Sequence, residues 1–400
     1  IRIPCKICKK CSRCQPRCNR LKVFPCYDND MKKLEDFADE INKCSKCGMC
    51  QEACPLYKLT GNDCAVSRGK FVMLDGVLKG DLKLNKNIEK YLDMCLKCGK
   101  CKDFCPSDID VCEILNTAKY ECAKDTFHGK IIKLFQSRLF FGCAIKIWKF
   151  LANLIFPYLP FAKKNQKKDT KLIKLLYFKG CVNEVFPSVA NAFKKICSHL
   201  DNVEIIERNF ECCGLPFLSS GNLERYEEVK KHNLELMNCE FDYILTDCAS
   251  CESTLKGYGS DHTPENNSKL FLNAAEFLAE QKVKFSFKKP VKVTFHKPCH
   301  LENDDFLKKL IDKCENVEYI KMKDYDECCG FAGEFAMKNP KLSISLAKQK
   351  AENAYATGAD YILTSCPACV LGLREGFLAL GKKSPKIMNV VEFLALAEIE

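Results

Sequence analysis

Thirty-one of the 400 residues are cysteine, and their spacing points to metal chemistry. Cys44-x2-Cys47-x2-Cys50-x3-Cys54 followed by Pro55 is matched by Cys95-x2-Cys98-x2-Cys101-x3-Cys105 followed by Pro106. Such short spacers wrap the backbone around a cubane, so that three thiolates converge and amide N–H groups face the sulfides. In such a pair each run gives three cysteines to one [4Fe-4S] cluster and its fourth to the other. Gly48 and Gly99 stand where the backbone must come close or take positive φ. Zinc is the competing metal, but its sites seldom need two four-cysteine runs.

Further on, Asp242-Tyr-Ile-Leu-Thr-Asp-Cys248-Ala-Ser-Cys251 is repeated 118 residues later by Asp360-Tyr-Ile-Leu-Thr-Ser-Cys366-Pro-Ala-Cys369. Upstream of each copy lies a vicinal pair with glycine, Cys212-Cys213-Gly214 and Cys328-Cys329-Gly330, and before each pair a lone cysteine, Cys181 and Cys299. Three features recurring at one period read as an internal duplication. Adjacent cysteines cannot both face one metal without unusual backbone dihedrals, which Gly214 and Gly330 permit. Five thiolates per copy exceed the needs of a plain cubane and fit an unusual cluster or a bridging thiolate. A redox-active vicinal disulfide and a zinc site are the alternatives.

The formal charge of +11 invites a nucleic-acid reading. The lysines are scattered, however, and neither an RNA-binding signature nor a C2H2 pattern occurs. A cubane on four thiolates leaves its site at about −2, so several clusters cancel most of the excess. No signal peptide is visible, and the cysteine spacing favours thiolate ligands in a reduced, cytoplasmic protein over a disulfide framework. No G-x-G-x-x-G, P-loop or nucleophile elbow stands out, which argues against nicotinamide, ATP and serine-hydrolase sites.

Periodicity supplies the elements that would position these residues. Helical patterns from Met31, Arg68 and Ile88 predict a helical two-cluster domain over 31–125. Residues 126–170 form an apolar, aromatic and basic connector. It reads either as a helical pair covering its neighbour or as an interfacial helix on an anionic membrane. Its longest uncharged run, Phe150 to Ala162, is too short to span a bilayer. Two α/β units follow, over 171–285 and 286–400. Strands at 172–178, 203–206 and 243–246 alternate with helices at 186–200, 223–238 and 274–280 in the first. Strands at 291–295, 317–320 and 361–364 and a helix at 342–358 repeat the order in the second. Cysteines just past strand ends would converge at one edge, where open α/β sheets place ligands. The expected fold is α+β and multidomain.

Residues 1–30 carry Cys5, Cys8, Cys11, Cys14, Cys18 and Cys26. The segment reads as an extension ahead of a natural start at Met31. A third cluster on Cys8, Cys11, Cys14 and Cys18 is the alternative, with Asn19 where proline is usual.

One cysteine, a Cys-Cys-Gly triplet and a C-x2-C, present twice behind two ferredoxin motifs, resembles the CCG (cysteine-rich) domain iron–sulfur proteins. These include the iron–sulfur subunits of glycolate oxidase, lactate oxidation complexes, anaerobic glycerol-3-phosphate dehydrogenase and heterodisulfide reductase. The resemblance covers residues 43 to about 395. Cys44-Ser-Lys-Cys-Gly-Met-Cys-Gln-Glu-Ala-Cys-Pro-Leu-Tyr57 and Val66-Ser-Arg-Gly-Lys-Phe71 look like the glycolate oxidase subunit in particular. The resemblance implies two [4Fe-4S] clusters on Cys44, Cys47, Cys50, Cys54, Cys95, Cys98, Cys101 and Cys105. It implies one or two further iron–sulfur clusters on Cys181, Cys212, Cys213, Cys248, Cys251, Cys299, Cys328, Cys329, Cys366 and Cys369. Gly48, Gly99, Gly214 and Gly330 would shape the backbone at these cofactors. It implies an electron-transfer subunit of a glycolate-type oxidase, taking electrons from an FAD subunit to a membrane acceptor such as quinone. Such a subunit is cytoplasmic and peripheral on the inner face of the cell membrane.

Two features depart from that pattern: residues 1–30, and the completeness of the ten repeated cysteines. The second keeps open a heterodisulfide-reductase type with catalytic noncubane clusters, or a lactate or glycerol-3-phosphate dehydrogenase type. His296 and His300 flank Cys299, either to handle protons or to pack at a strand end. Cys64, Cys112, Cys122, Cys143, Cys197, Cys239 and Cys314 fall outside every motif and read as small core residues.

Overall fold

The structure, a computed structural model, describes residues 32–124, 172–258 and 271–400. The expectations for residues 1–30 and for the apolar connector fall outside the described residues.

Residues 32–124 are helical, as the spacing predicts. They form α1 (Ala38–Asn42), α2 (Met49–Ala53), α3 (Pro55–Thr60), α4 (Ser67–Leu78), α5 (Lys86–Asp93), α6 (Lys100–Asp103) and α7 (Val111–Lys124). Pro55 opens α3, where its missing N–H costs nothing, and Asn85 caps α5 by accepting from the Asn87 and Ile88 amides. Leu34, Phe37, Phe71, Leu74, Leu92, Ile114 and Leu115 close a small core. Each such side chain contributes about 1.5–3 kcal/mol on burial. Helices as short as α2 and α6 do not stand alone in water. Their ends are fixed by the cysteine loops.

The first cysteine-rich unit runs β1 (Ile173–Tyr177), α8 (Cys181–Val185), α9 (Ser188–Cys197), β2 (Val203–Glu207), α10 (Leu215–Ser219), α11 (Leu223–Leu236), β3 (Tyr243–Thr246), α12 (Ala249–Gly257), β4 (Phe271–Asn273) and α13 (Ala274–Glu280). The second runs β5 (Phe285–Phe295), α14 (Asp305–Asp312), β6 (Cys314–Tyr319), α15 (Glu334–Lys338), α16 (Pro340–Tyr355), β7 (Tyr361–Thr364), α17 (Pro367–Leu380), β8 (Lys386–Asn389), α18 (Val390–Leu394) and β9 (Glu398–Ile399).

The sheets have the same parallel order, β2-β1-β3-β4 and β6-β5-β7-β8, with β9 antiparallel to the start of β5. Leu175, Leu176 and Tyr177 are consecutive and buried, the pattern of a strand covered on both faces. The duplication extends to polar details. The Asp242 carboxylate accepts from the Lys174 amide at 2.8 Å, and Asp360 from Lys292 at 2.9 Å. Asn273 and Asn389 cap α13 and α18 alike.

The C-terminal ends of the two sheets meet. The Ala249 amide donates to the Ser365 carbonyl at 2.9 Å, and Asn389 Nδ2 to the Asp247 carbonyl at 3.0 Å. One core runs through both units, and Cys329, Cys366 and Cys369 share it with Cys212, Cys213 and Cys248.

Candidate metal centres

The two ferredoxin-type loops repeat one backbone shape. Lys46 and Lys97 have φ of 58° and 55°, and Gly48 and Gly99 have 87° and 77°. Left-handed lysines cost about 1–3 kcal/mol each unless their surroundings over-determine them. Here they turn successive amides toward the cysteines. Cys54, Cys95, Cys98 and Cys101 line one cavity, and Cys44, Cys47, Cys50 and Cys105 line another that Cys101 also borders. The fourth cysteine of each run therefore lies with the other run.

The two cavities differ in exposure. Cys47 is exposed, and the Met49 amide beside it lowers its thiol pKa. Cys98 is half-buried and faces the second unit: desolvation there, with Cys328 and Cys299 close by, pushes its thiol up. Cys54, Cys98, Cys299 and Cys328 border one apolar cluster with Leu56, Leu96 and Phe335. The inner loop thus abuts the second cysteine-rich unit.

In that unit, and in its twin, the cysteines stand past strand ends. Cys181 follows β1, Cys248 follows β3, Cys299 follows β5 and Cys366 follows β7. Cys212 Sγ lies 3.5 Å from Cys181 Sγ, and Cys248 Sγ lies 4.0 Å from Cys366 Sγ across the junction. Gly214 and Gly330, after the vicinal pairs, take φ of 87° and 80°. A Cβ at Gly330 would come within 2.8 Å of the Ser343 carbonyl oxygen, so only glycine lets the pair sit against α16. Cys213 is held well below the ordinary thiol range by hydrogen bonds from Cys212 and Cys251, and Cys329 by those from Cys328 and Cys369. The thiolate is the ligating form.

All of both pentads but Cys212 line one cavity of about 170 Å³: Cys181, Cys213, Cys248, Cys251, Cys299, Cys328, Cys329, Cys366 and Cys369. A charged inorganic group fits these surroundings on three observations. Every cysteine among the described residues is free. The Asn183 amide and the Lys97 ammonium, both on the cavity wall, bury polar atoms that have no protein partner. Lys70, only 1 % exposed, donates to the Cys64, Ala65 and Met94 carbonyls, which leaves its charge available to the neighbouring Cys95 and Cys54.

Among the remaining residues, His300 joins three segments: Nδ1 to Ser250 Oγ at 2.9 Å and Nε2 to the Lys97 carbonyl at 3.0 Å. His296 is wholly buried, and neither ring nitrogen has a hydrogen-bond partner. Burial, with Lys350 nearby, holds its pKa down at about 3, so the ring is neutral. Cys122 and Cys197 are core residues as expected. Cys239 and Cys314 are half-buried and pack against the main core, whereas the half-buried Cys64 and Cys112 belong to no core cluster, which corrects the expectation for those two. Cys112 borders the inner loop's cavity, and burial with Cys95 beside it pushes its thiol up to about 12. Cys143 lies outside the described residues.

Sequence reasoning missed a buried ion network that locks the ferredoxin-type region onto the second unit. Lys119 Nζ lies 2.7 Å from Asp93 and 2.8 Å from Glu334, and Lys338 Nζ lies 2.7 Å from Asp93 and 2.8 Å from Glu334. Asp93, Lys119 and the Glu334–Lys338 pair come from three separate stretches of sequence and read there as ordinary surface charge.

Comparison with known protein families matches residues 175–256 and 293–374 to the cysteine-rich domain and residues 40–109 to the 4Fe-4S dicluster domain. The chain belongs to the cysteine-rich-domain iron–sulfur proteins. It carries iron–sulfur clusters, with a dicluster [4Fe-4S] region ahead of the two cysteine-rich domains.

Three relatives show the breadth of this family. One subunit of the fumarate reductase (CoM/CoB) of Methanothermobacter marburgensis is 26% identical over 91% of this chain and 74% of its own length. The probable glycolate oxidase iron-sulfur subunit of Bacillus subtilis is 23% identical over 87% and 91%. One subunit of the dihydromethanophenazine:CoB–CoM heterodisulfide reductase of Methanosarcina mazei is 25% identical over 90% and 94%. Among the described residues of this cysteine-rich-domain protein, no helix is long and apolar enough to cross a membrane.

Proposed function

We propose that this protein is the iron–sulfur electron-transfer subunit of an oxidoreductase complex of the 2-hydroxy acid (glycolate) oxidase kind. In this reading an FAD subunit on another chain oxidises the substrate, and the electrons leave through this chain for a membrane acceptor such as quinone. The ligand sets are Cys44, Cys47, Cys50 and Cys105 at the outer cluster, Cys54, Cys95, Cys98 and Cys101 at the inner one, and the two repeated pentads beyond.

The observation that carries the reading is a graded series of thiolate sets. It starts at the exposed Cys47, passes inward to Cys98, and reaches Cys299 and Cys328 of the second unit. Bound clusters supply one-electron transfer. The chain's part is to fix their separations, exclude water around Cys98, and hold Lys70 near the inner thiolates to offset negative charge.

The cavity between the pentads favours a second reading. A cysteine-lined space walled by the unpartnered Asn183 and Lys97 suits chemistry on a bound molecule, as in a heterodisulfide-reductase type subunit. The two readings part on one experiment: anoxic purification from the native host, with identification of co-eluting chains and dye-reduction assays on glycolate, lactate and glycerol 3-phosphate. A co-eluting flavoprotein that responds to one of these substrates supports the first. A partnerless brown protein that reduces disulfides refutes it and supports the second.

A further inference from the structure

The two cysteine-rich units superimpose in plan, yet differ at the residue three before the lone cysteine. The first has Phe178 and the second His296. Both side chains are fully buried. Phenylalanine suits such a place, whereas an imidazole with two unsatisfied nitrogens costs about 1–3 kcal/mol or more for each polar group left unpaired. The Tyr325 carbonyl is close enough to favour a ring N–H, but neither nitrogen meets hydrogen-bond geometry. The ring is not isolated from ligands, however. A ligand nitrogen of His296 and the sulfurs of Cys329 and Cys369 lie within 4.8 Å of one another, and all three residues are buried. Among the described residues no other such group of histidine, cysteine and carboxylate residues occurs.

We propose that His296 is a nitrogen ligand of the metal centre in the second cysteine-rich unit, beside Cys329 and Cys369, and that the first unit is held by sulfur alone. The inference rests on the reading that the second unit holds its own cluster. A neutral imidazole on iron carries one negative charge less than a thiolate. Iron–sulfur centres with histidine ligands accordingly sit at higher potential than all-cysteine ones. The two units would therefore be chemically distinct sites despite the duplication, and the favoured electron acceptor of the pair would be the one against Cys98. His300 does not share this role, because Ser250 and the Lys97 carbonyl occupy both its nitrogens.

The test is pulsed EPR on the anoxically purified full chain, labelled with 15N-histidine, together with iron analysis. The expected result is a 15N coupling of directly bound strength in the wild type. It should be lost in His296→Phe, which copies Phe178, and kept in His300→Phe. A wild type with clusters in both cysteine-rich units but no strong 15N coupling overturns the proposal, whatever the variants do. A coupling that survives His296→Phe overturns it as well. Iron confined to the dicluster region would instead remove the reading that the second unit holds a cluster, and this inference with it.

Discussion

The first cysteine-rich unit buries a polar pair behind its thiolates, the Tyr177 hydroxyl on the Asp247 carboxylate, where the second has Phe295 and Ser365. The second buries His296 where the first has Phe178. Yet both keep the same strand order, the same five cysteines and the same glycine after the vicinal pair. What converges the thiolates is backbone: strand ends, a left-handed glycine and a helix start. That scaffold tolerates divergence in the layer behind it, and on our proposal for His296 this divergence makes the two centres chemically distinct. The units differ outwardly too. The second meets the dicluster region through the buried Lys119–Glu334–Lys338–Asp93 network and the Cys98 contact. The first meets it through the Tyr120 hydroxyl on Glu224 at 3.0 Å and Lys119 on the Ser219 carbonyl at 2.9 Å.

If that asymmetry is real in energy, the two contacts should respond differently to truncation. Glu334→Ala leaves the buried Lys119 and the half-buried Lys338 to share the Asp93 carboxylate, and removing one partner from such a buried ion group costs about 3 kcal/mol. Glu224→Ala removes one hydrogen bond to Tyr120, worth about 1 kcal/mol. Chemical denaturation of the anoxic protein should rank them so, with Glu334→Ala also releasing the dicluster region to proteolysis. Equal effects would show that the two units hold that region alike.

A smaller effect separates the units at the metal. Gly180 has φ of 75°, and a Cβ there would lie 2.9 Å from Cys251 Sγ, whereas Pro298 occupies the matching position in the second unit. Gly180→Ala therefore strains the first unit alone, by about 1–3 kcal/mol. Iron analysis with EPR should find the first unit's signal weakened and the dicluster and second-unit signals unchanged. Loss of all signals together would mean that the pentads form one indivisible centre.

The smallest effect concerns the bridge between the units. Ser250→Ala removes the hydroxyl that binds His300 and lies 3.7 Å from Cys366 Sγ. The cost is about 1 kcal/mol of stability. The second unit's EPR line shape should change while its iron content holds.

Much of this was legible in the sequence because the signals are local. Tyr243–Thr246 and Tyr361–Thr364 are apolar runs that follow an Asp and end two residues before a Cys, and they form strands with those bounds. The helix at Ala274–Glu280 also lies where periodicity put it. Other elements carried weaker signals. β4 and β8 are three and four residues long, too short for a pattern, although the repeated asparagine before each following helix marks them. β5 starts at Phe285, ahead of the expected Val291, and runs through Lys288-Lys-Pro290, where its register against β6 shifts. The facing of the two cysteine edges, the burial of Lys119 and the placement of His296 beside Cys329 and Cys369 depend on how distant segments pack. No window of sequence contains them.

The central claim is that electrons pass from the dicluster region into the second cysteine-rich unit before the first. Freeze-quench EPR after mixing the oxidised protein with a one-electron donor tests it most directly, with Gly180→Ala and His296→Phe used to assign the two signals. The account predicts that the second unit's signal develops ahead of the first unit's. Simultaneous or reversed development would contradict it.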